Sequence, residues 1–151
     1  MSRKPETTYL SESLEELAQS VAHLQYAARA TAEIPQGLSG VSEEDLLKVE
    51  AFTSRFARVV DLITKRVLRA LDHFELHDVG TLLDVANRAE KRGLIDSVDW
   101  LRELKDTRNR ILHDYAGEHL PEILGYCREE LPRLLAACDR TQAYASRLLQ
   151  H

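Results

Sequence analysis

The sequence is short of cysteine, with Cys127 and Cys138 its only two. On one helix, 11 residues put their Cα atoms roughly 16 Å apart, well beyond disulfide reach. Neither belongs to a C-x2-C pair, so no thiolate metal site is encoded and both read as small apolar core residues. Long apolar runs are missing too. Nothing approaches the ~18 consecutive apolar residues of a membrane span, and Met1 to Tyr9 lacks the apolar stretch of a secretory signal. The expected location is cytoplasmic, with no membrane contact. Positive charge is in deficit, with 20 Lys and Arg against 25 Asp and Glu, a net −5. Proteins that coat nucleic acid draw their affinity from phosphate neutralisation, so this balance excludes a general coat; RNA would need a local basic patch. Strand-like alternation and glycine-rich phosphate loops are absent, which removes the dinucleotide and nucleoside-triphosphate folds. No serine or cysteine stands near a histidine in a nucleophile pattern.

What remains is helical periodicity, in a chain of 151 residues that suits one domain. Residues 1–12 read as a flexible N-terminal arm and 13–151 as a single helical domain. A first helix is expected from about Ser13, where Ser13 and Glu16 make a capping-box pattern, to Thr31. The segment from Ile34 to Val41 (IPQGLSGV) breaks the pattern. Ser42 then caps the longest helix, whose stripe is Leu46, Val49, Phe52, Phe56, Val59, Ile63, Val67 and Leu71, ending near Phe74. A short helix follows over Thr81 to Arg92, closed by Gly93. A fourth starts at Asp96 and carries Val98 through about Tyr115; a fifth runs from near Pro121 toward Gln150. Pro132 lies inside that last stripe and is expected to kink it. The expected fold is all-α, an antiparallel bundle of about five helices.

One residue breaks the apolar logic of the fourth helix. On a wheel at about 100° per position, Val98, Leu101, Leu104, Ile111, Leu112 and Tyr115 form one sector, and Arg108 falls inside it. A charge there must either pair with a carboxylate or helix end, its stem packing as it snorkels, or face a wet cleft. The surrounding segment, Arg108-Asn109-Arg110-Ile111-Leu112-His113-Asp114-Tyr115, has the form R-x4-H-x-Y. A guanidinium grips a phosphodiester with paired donors, and an imidazole moves a proton near neutral pH. Asn109 and His113 are four apart, so the amide is placed to orient the ring. These are the parts of a metal-independent ribonuclease, in which a base deprotonates a 2′-hydroxyl and a cation steadies the charge as it attacks the phosphate. Five residues separate Arg108 from His113, about 140° on an ideal helix. They converge only through a distorted helix or a partner chain, for which a two-fold dimer suffices. Tyr115, about 20° from Arg108 on the same wheel, is expected to bring its hydroxyl near the guanidinium.

With Arg108, Asn109, His113 and Tyr115 in this order, the chain resembles the HEPN superfamily, and more narrowly the HepT-like toxins. Their hallmark is R-x4-6-H, often with a polar residue after the arginine and, in HepT-like members, a tyrosine two after the histidine. The likeness extends loosely over residues 42 to 150, through helix order and the proline in the last helix; only the eight-residue motif is specific. It implies a cytosolic endoribonuclease toxin, acting without cofactor as a homodimer whose paired motifs line a cleft. The implied partner is a small nucleotidyltransferase antitoxin that adenylylates the motif tyrosine, here Tyr115, so that a bulky anion bars RNA.

Other features carry less. His73 and His77, with Asp78 beside them, have metal-pair spacing but no further ligands, and read as a solvated helix end. His23, His119 and His151 read as exposed. Arg88, Lys91, Arg92, Arg102, Lys105 and Arg110 form either an RNA-backbone patch or an ordinary charged face laced with Glu90, Glu103 and Asp106. Two other functional classes stay open: a non-catalytic partner that binds a nucleotidyltransferase or a nucleotide through the same cleft, and a structural helical adaptor.

Overall fold

The computed structural model describes residues 4–78 and 80–151, and every regular element among them is helical. Helix α1 is Lys4–Thr31. Helix α2 is continuous through three stretches: α-helical Glu43–Asp61, a π-helical Leu62–Val67, and α-helical Leu68–Phe74. Helices α3 (Leu82–Lys91), α4 (Val98–His113) and α5 (Leu120–Leu149) complete an all-α bundle of five. Helix α5 continues through Pro132 without a break.

Residues 4–12 are not an arm. They are the first turns of α1, and Leu10 is fully buried in line with Leu14 and Leu17; residues 1–3 of the expected arm lie outside the described residues. Ser13 is not a cap either. It is buried mid-helix, and its hydroxyl donates to the Tyr9 carbonyl at 2.7 Å. A serine can satisfy itself on the turn before it, and that possibility defeats a cap reading from spacing alone. The cap at Ser42 forms as expected, and Thr81 caps the third helix as a full capping box with Asp84.

The π stretch has a cause in the sequence. Val59, Ile63, Val67 and Leu71 follow at four-residue intervals, and all four are buried. On an α-helix each such step drifts by about 40°, so the stripe would rotate off the core by about 120°. A π turn takes up that drift. Leu68 closes it, its N–H bonding to the Ile63 carbonyl, and the buried Thr64 hydroxyl donates to Val60 at 2.7 Å. The same correction acts on the outer face, where Asp61, Lys65, Arg69 and His73 are also four apart.

Packing of Phe52, Phe56, Trp100, Leu104, Ile123 and Leu134 fills the centre. Long polar side chains cross-tie the helices. Arg128 on α5 donates to the Thr31 and Ile34 carbonyls at 2.7 Å each, satisfying the frayed end of α1. Asp72 is completely buried and ion-paired to Arg92 at 2.6 Å and Arg88 at 3.1 Å, which fixes α3 against the end of α2. Cys127 and Cys138 are buried and free. Burial holds both thiols in the protonated form, pushing Cys138 up to about 12 and Cys127 upward as well, so neither is a nucleophile at neutral pH.

Candidate functional site

Helix α4 carries the motif. Ser97 caps it by accepting the Trp100 N–H at 3.1 Å, and Asp99 sits in its first turn. Its first half packs as expected, with Leu101 and Leu104 buried. The helix stops at His113, and Asp114 leaves helical geometry at φ −88°, ψ 63°. Gly117 then reverses the chain at φ +71°, a conformation that strains any residue with a Cβ. Its N–H donates to the Asp114 carbonyl at 3.1 Å. The Asp114 carboxylate accepts the His119 N–H at 3.2 and 3.3 Å, tying the motif loop to the start of α5.

Because α4 ends there, the wheel does not extend to Tyr115. The phenol does not sit in the apolar sector beside Arg108: Tyr115 is 88% exposed. Its hydroxyl lies 3.2 Å from His113 Nδ1 and the rings meet edge to face, centroids 6.0 Å apart. Leu112 is likewise half exposed rather than core. Thr107, one residue before Arg108, is buried.

Arg108 takes the paired course of the two that its position allowed. Its side chain is 18% exposed and straddles Asp61 of α2, with Nε 2.6 Å from Oδ1 and Nη2 donating to Oδ2 at 2.8 Å. The Nε–H points off the line to the carboxylate, so contact there is Coulombic while Nη2 makes the hydrogen bond. Nη1 donates to the Asn109 amide oxygen at 3.0 Å. Asn109 therefore orients the arginine, not the imidazole as its four-residue spacing suggested. Lys65, one turn along α2, reaches the same Asp61 oxygen at 3.4 Å. Asp61 is the residue that sequence reasoning missed; its position four before Lys65, on the outer face of an amphipathic helix, looks like routine surface pairing.

Half of the six-residue basic run along α3 and α4 is committed to carboxylates. Arg88 and Arg92 are held by Asp72, and Arg110 pairs with Glu122 at 3.2 Å. His73 is exposed on the last turn of α2, and among the described residues no cluster of three His, Cys, Asp or Glu gathers to hold a metal.

A cleft of about 410 Å³ opens beside the motif loop. Ile111, Leu120 and Leu46 line its apolar part, Tyr115 its mouth, and Glu50 and Asp114 are its charged residues. A phosphodiester would meet like charge on that side. The cations, Arg108 and Lys65, flank Asp61 further along the same two helices. The site thus offers an exposed imidazole beside a phenol and, on the same helix, a fork-shaped cation with its geometry already set. No family model, curated protein or solved structure gives a significant match to the chain.

The Asp61–Arg108 pair has a measurable energy. A double-mutant cycle of Asp61→Ala and Arg108→Ala in urea unfolding is expected to give a coupling of about 1–2 kcal/mol, each single variant being destabilised and the double little worse. Additive losses would mean the contact contributes nothing to stability.

Proposed function

We propose that the chain is a HepT-like toxin of the HEPN superfamily, a metal-independent endoribonuclease of the cytoplasm that acts as a homodimer. The observation that carries this reading is the exposed His113–Tyr115 pair at the end of the helix that holds Arg108. His113 takes the proton of a ribose 2′-hydroxyl, and the resulting oxygen attacks the adjacent phosphorus. Arg108 stabilises the charge on the equatorial oxygens, with Asn109 steadying its fork. The 5′-oxygen leaves with a proton, and the products are a 2′,3′-cyclic phosphate and a 5′-hydroxyl. The dimer is needed because α4 is regular through His113, so Arg108 and His113 stay about 140° apart on one chain. Paired across a two-fold axis, one copy's arginine meets the other's histidine.

A neighbouring nucleotidyltransferase antitoxin fits the same site. Transfer of an adenylyl group from ATP to the Tyr115 hydroxyl forms a phosphodiester and releases pyrophosphate. Tyr115 is accessible, and His113 is placed to accept the phenolic proton. The added nucleotide covers His113 and repels RNA. One observation favours the non-catalytic alternative, a binding partner of such an enzyme: the Arg108 fork is already satisfied by Asp61.

The two readings separate in a cleavage assay. Purified wild-type protein is expected to cut single-stranded RNA in excess EDTA, leaving cyclic-phosphate ends, while His113→Ala melts like wild type and loses at least a hundredfold in rate. Wild type that leaves RNA intact, or cuts it only with a divalent metal, removes the proposed mechanism. For the regulatory step, intact-mass measurement of the protein co-expressed with its antitoxin is expected to show one adenylate, absent from Tyr115→Phe. An unmodified Tyr115 in a neutralised pair leaves steric blocking alone.

A further inference from the structure

An acidic protein that handles RNA needs a local basic surface, and Arg88, Arg92 and Arg110 are drawn off by carboxylates. The outer face of α2 offers another. Lys65, Arg69 and His73 stand at four-residue intervals, brought into one row by the π turn that also realigns the core stripe. They form one wall of a groove of about 380 Å³ whose other wall is Pro5, Glu6 and Tyr9 of α1. That volume is in the range of about 300–1,000 Å³ of small-ligand pockets. Tyr9 is 41% exposed, and the Arg66 guanidinium lies over its ring at 5.3 Å. Arg66 is itself held by Glu16 at 3.1 Å, so the ring rests on a fixed support. Arg69 reaches the Gly80 carbonyl at 3.0 Å, and Glu6 is the one acidic wall residue.

The groove is continuous with the candidate site. Lys65 lines it and also touches Asp61 Oδ1, the oxygen that holds Arg108 Nε. A cationic row beside an aromatic ring is the arrangement that grips unpaired nucleic acid: phosphates follow the charges and a base stacks on the ring. We propose that the Tyr9–Lys65–Arg69–His73 groove binds single-stranded RNA, taking one base on Tyr9 and leading the backbone past Lys65 to Arg108. This rests on the ribonuclease reading for what happens at Arg108, but the groove binds whether or not cleavage follows.

The test is fluorescence anisotropy with a labelled single-stranded RNA twelve-mer on the His113→Ala background, where no cleavage disturbs the signal. Tyr9→Ala is expected to weaken binding about tenfold and Tyr9→Phe to leave it unchanged, because stacking needs the ring and not the hydroxyl. Lys65→Ala with Arg69→Ala is expected to lower the salt slope of log K by about 1.4, or about 0.7 per lost phosphate contact. Arg69 also ties down Gly80 and Lys65 pairs with Asp61, so the milder Lys65→Gln, at a side chain 53% exposed, is compared with wild type in melting as well as in binding; it is expected to melt like wild type and to weaken binding about threefold. Unchanged affinity and slope in these variants overturn the groove, and so does equal affinity for a duplex of the same length, which offers no free base. A dinucleotide too short to reach Tyr9 separates the two claims. A Tyr9→Ala protein that cuts it at the wild-type rate but binds the twelve-mer poorly supports both. RNA binding that depends on Tyr9 and Lys65 without any cleavage keeps the groove and removes the nuclease.

Discussion

The ion pair between Asp61 and Arg108 joins the middle of the longest helix to the functional end of α4. A guanidinium inside an apolar helix face costs several kcal/mol if left alone, so the bundle closes around it only with a carboxylate opposite. That carboxylate is the last residue of the first α-helical stretch of α2, immediately before the winding changes. The π turn keeps Val59, Ile63, Val67 and Leu71 in the core and, by the same rotation, keeps Asp61, Lys65, Arg69 and His73 in one outer row. One local departure from α geometry thus keeps the core stripe and the basic row in register beyond the partner of Arg108.

The pairing also constrains how the site can work. With Nε and Nη2 on Asp61 and Nη1 on Asn109, the fork is oriented before any ligand arrives. A phosphate must share Arg108 with Asp61 or displace it, and Lys65 on the same oxygen offsets the local negative charge. Exposure is divided accordingly. Arg108 is held and mostly covered, whereas His113 at the last helical position and Tyr115 two residues beyond it are exposed. The cleft beside Tyr115 carries Glu50 and Asp114, so the negative charge at the motif loop stands apart from the cations held at Asp61.

Much of this was legible in the sequence. Periodicity gave five helices whose ends, the start of α1 apart, lie within a few residues of those observed, because signals such as the Ser42 cap and the stops at Gly93 and Gly117 act locally. The stripe of α5 and the buried cysteines followed from the same spacing. The failures have physical causes. Ser13 bonds backward along its own helix, so the N-terminal turns were read as an arm. Tyr115 was placed on a wheel beyond the point where Asp114 ends the helix. Asn109 had two neighbours to choose from, and the cation beside it won over the ring one turn away. Asp61, Tyr9 and the groove depend on contacts between helices, which periodicity along one helix does not encode. The four-residue rhythm from Val59 to Leu71 did announce the π turn, but only when its accumulated drift is counted.

The proposed mechanism turns on two side chains that a regular helix holds apart, and therefore on two chains meeting. The most direct measurement mixes the Arg108→Ala and His113→Ala proteins after co-refolding and follows RNA cleavage. Neither variant alone has an intact site, but a mixed dimer pairs the arginine of one chain with the histidine of the other. Cleavage restored to a substantial fraction of wild type is the predicted result. A mixture as inactive as its components, with mixed dimers shown to be present, would contradict a site shared between chains.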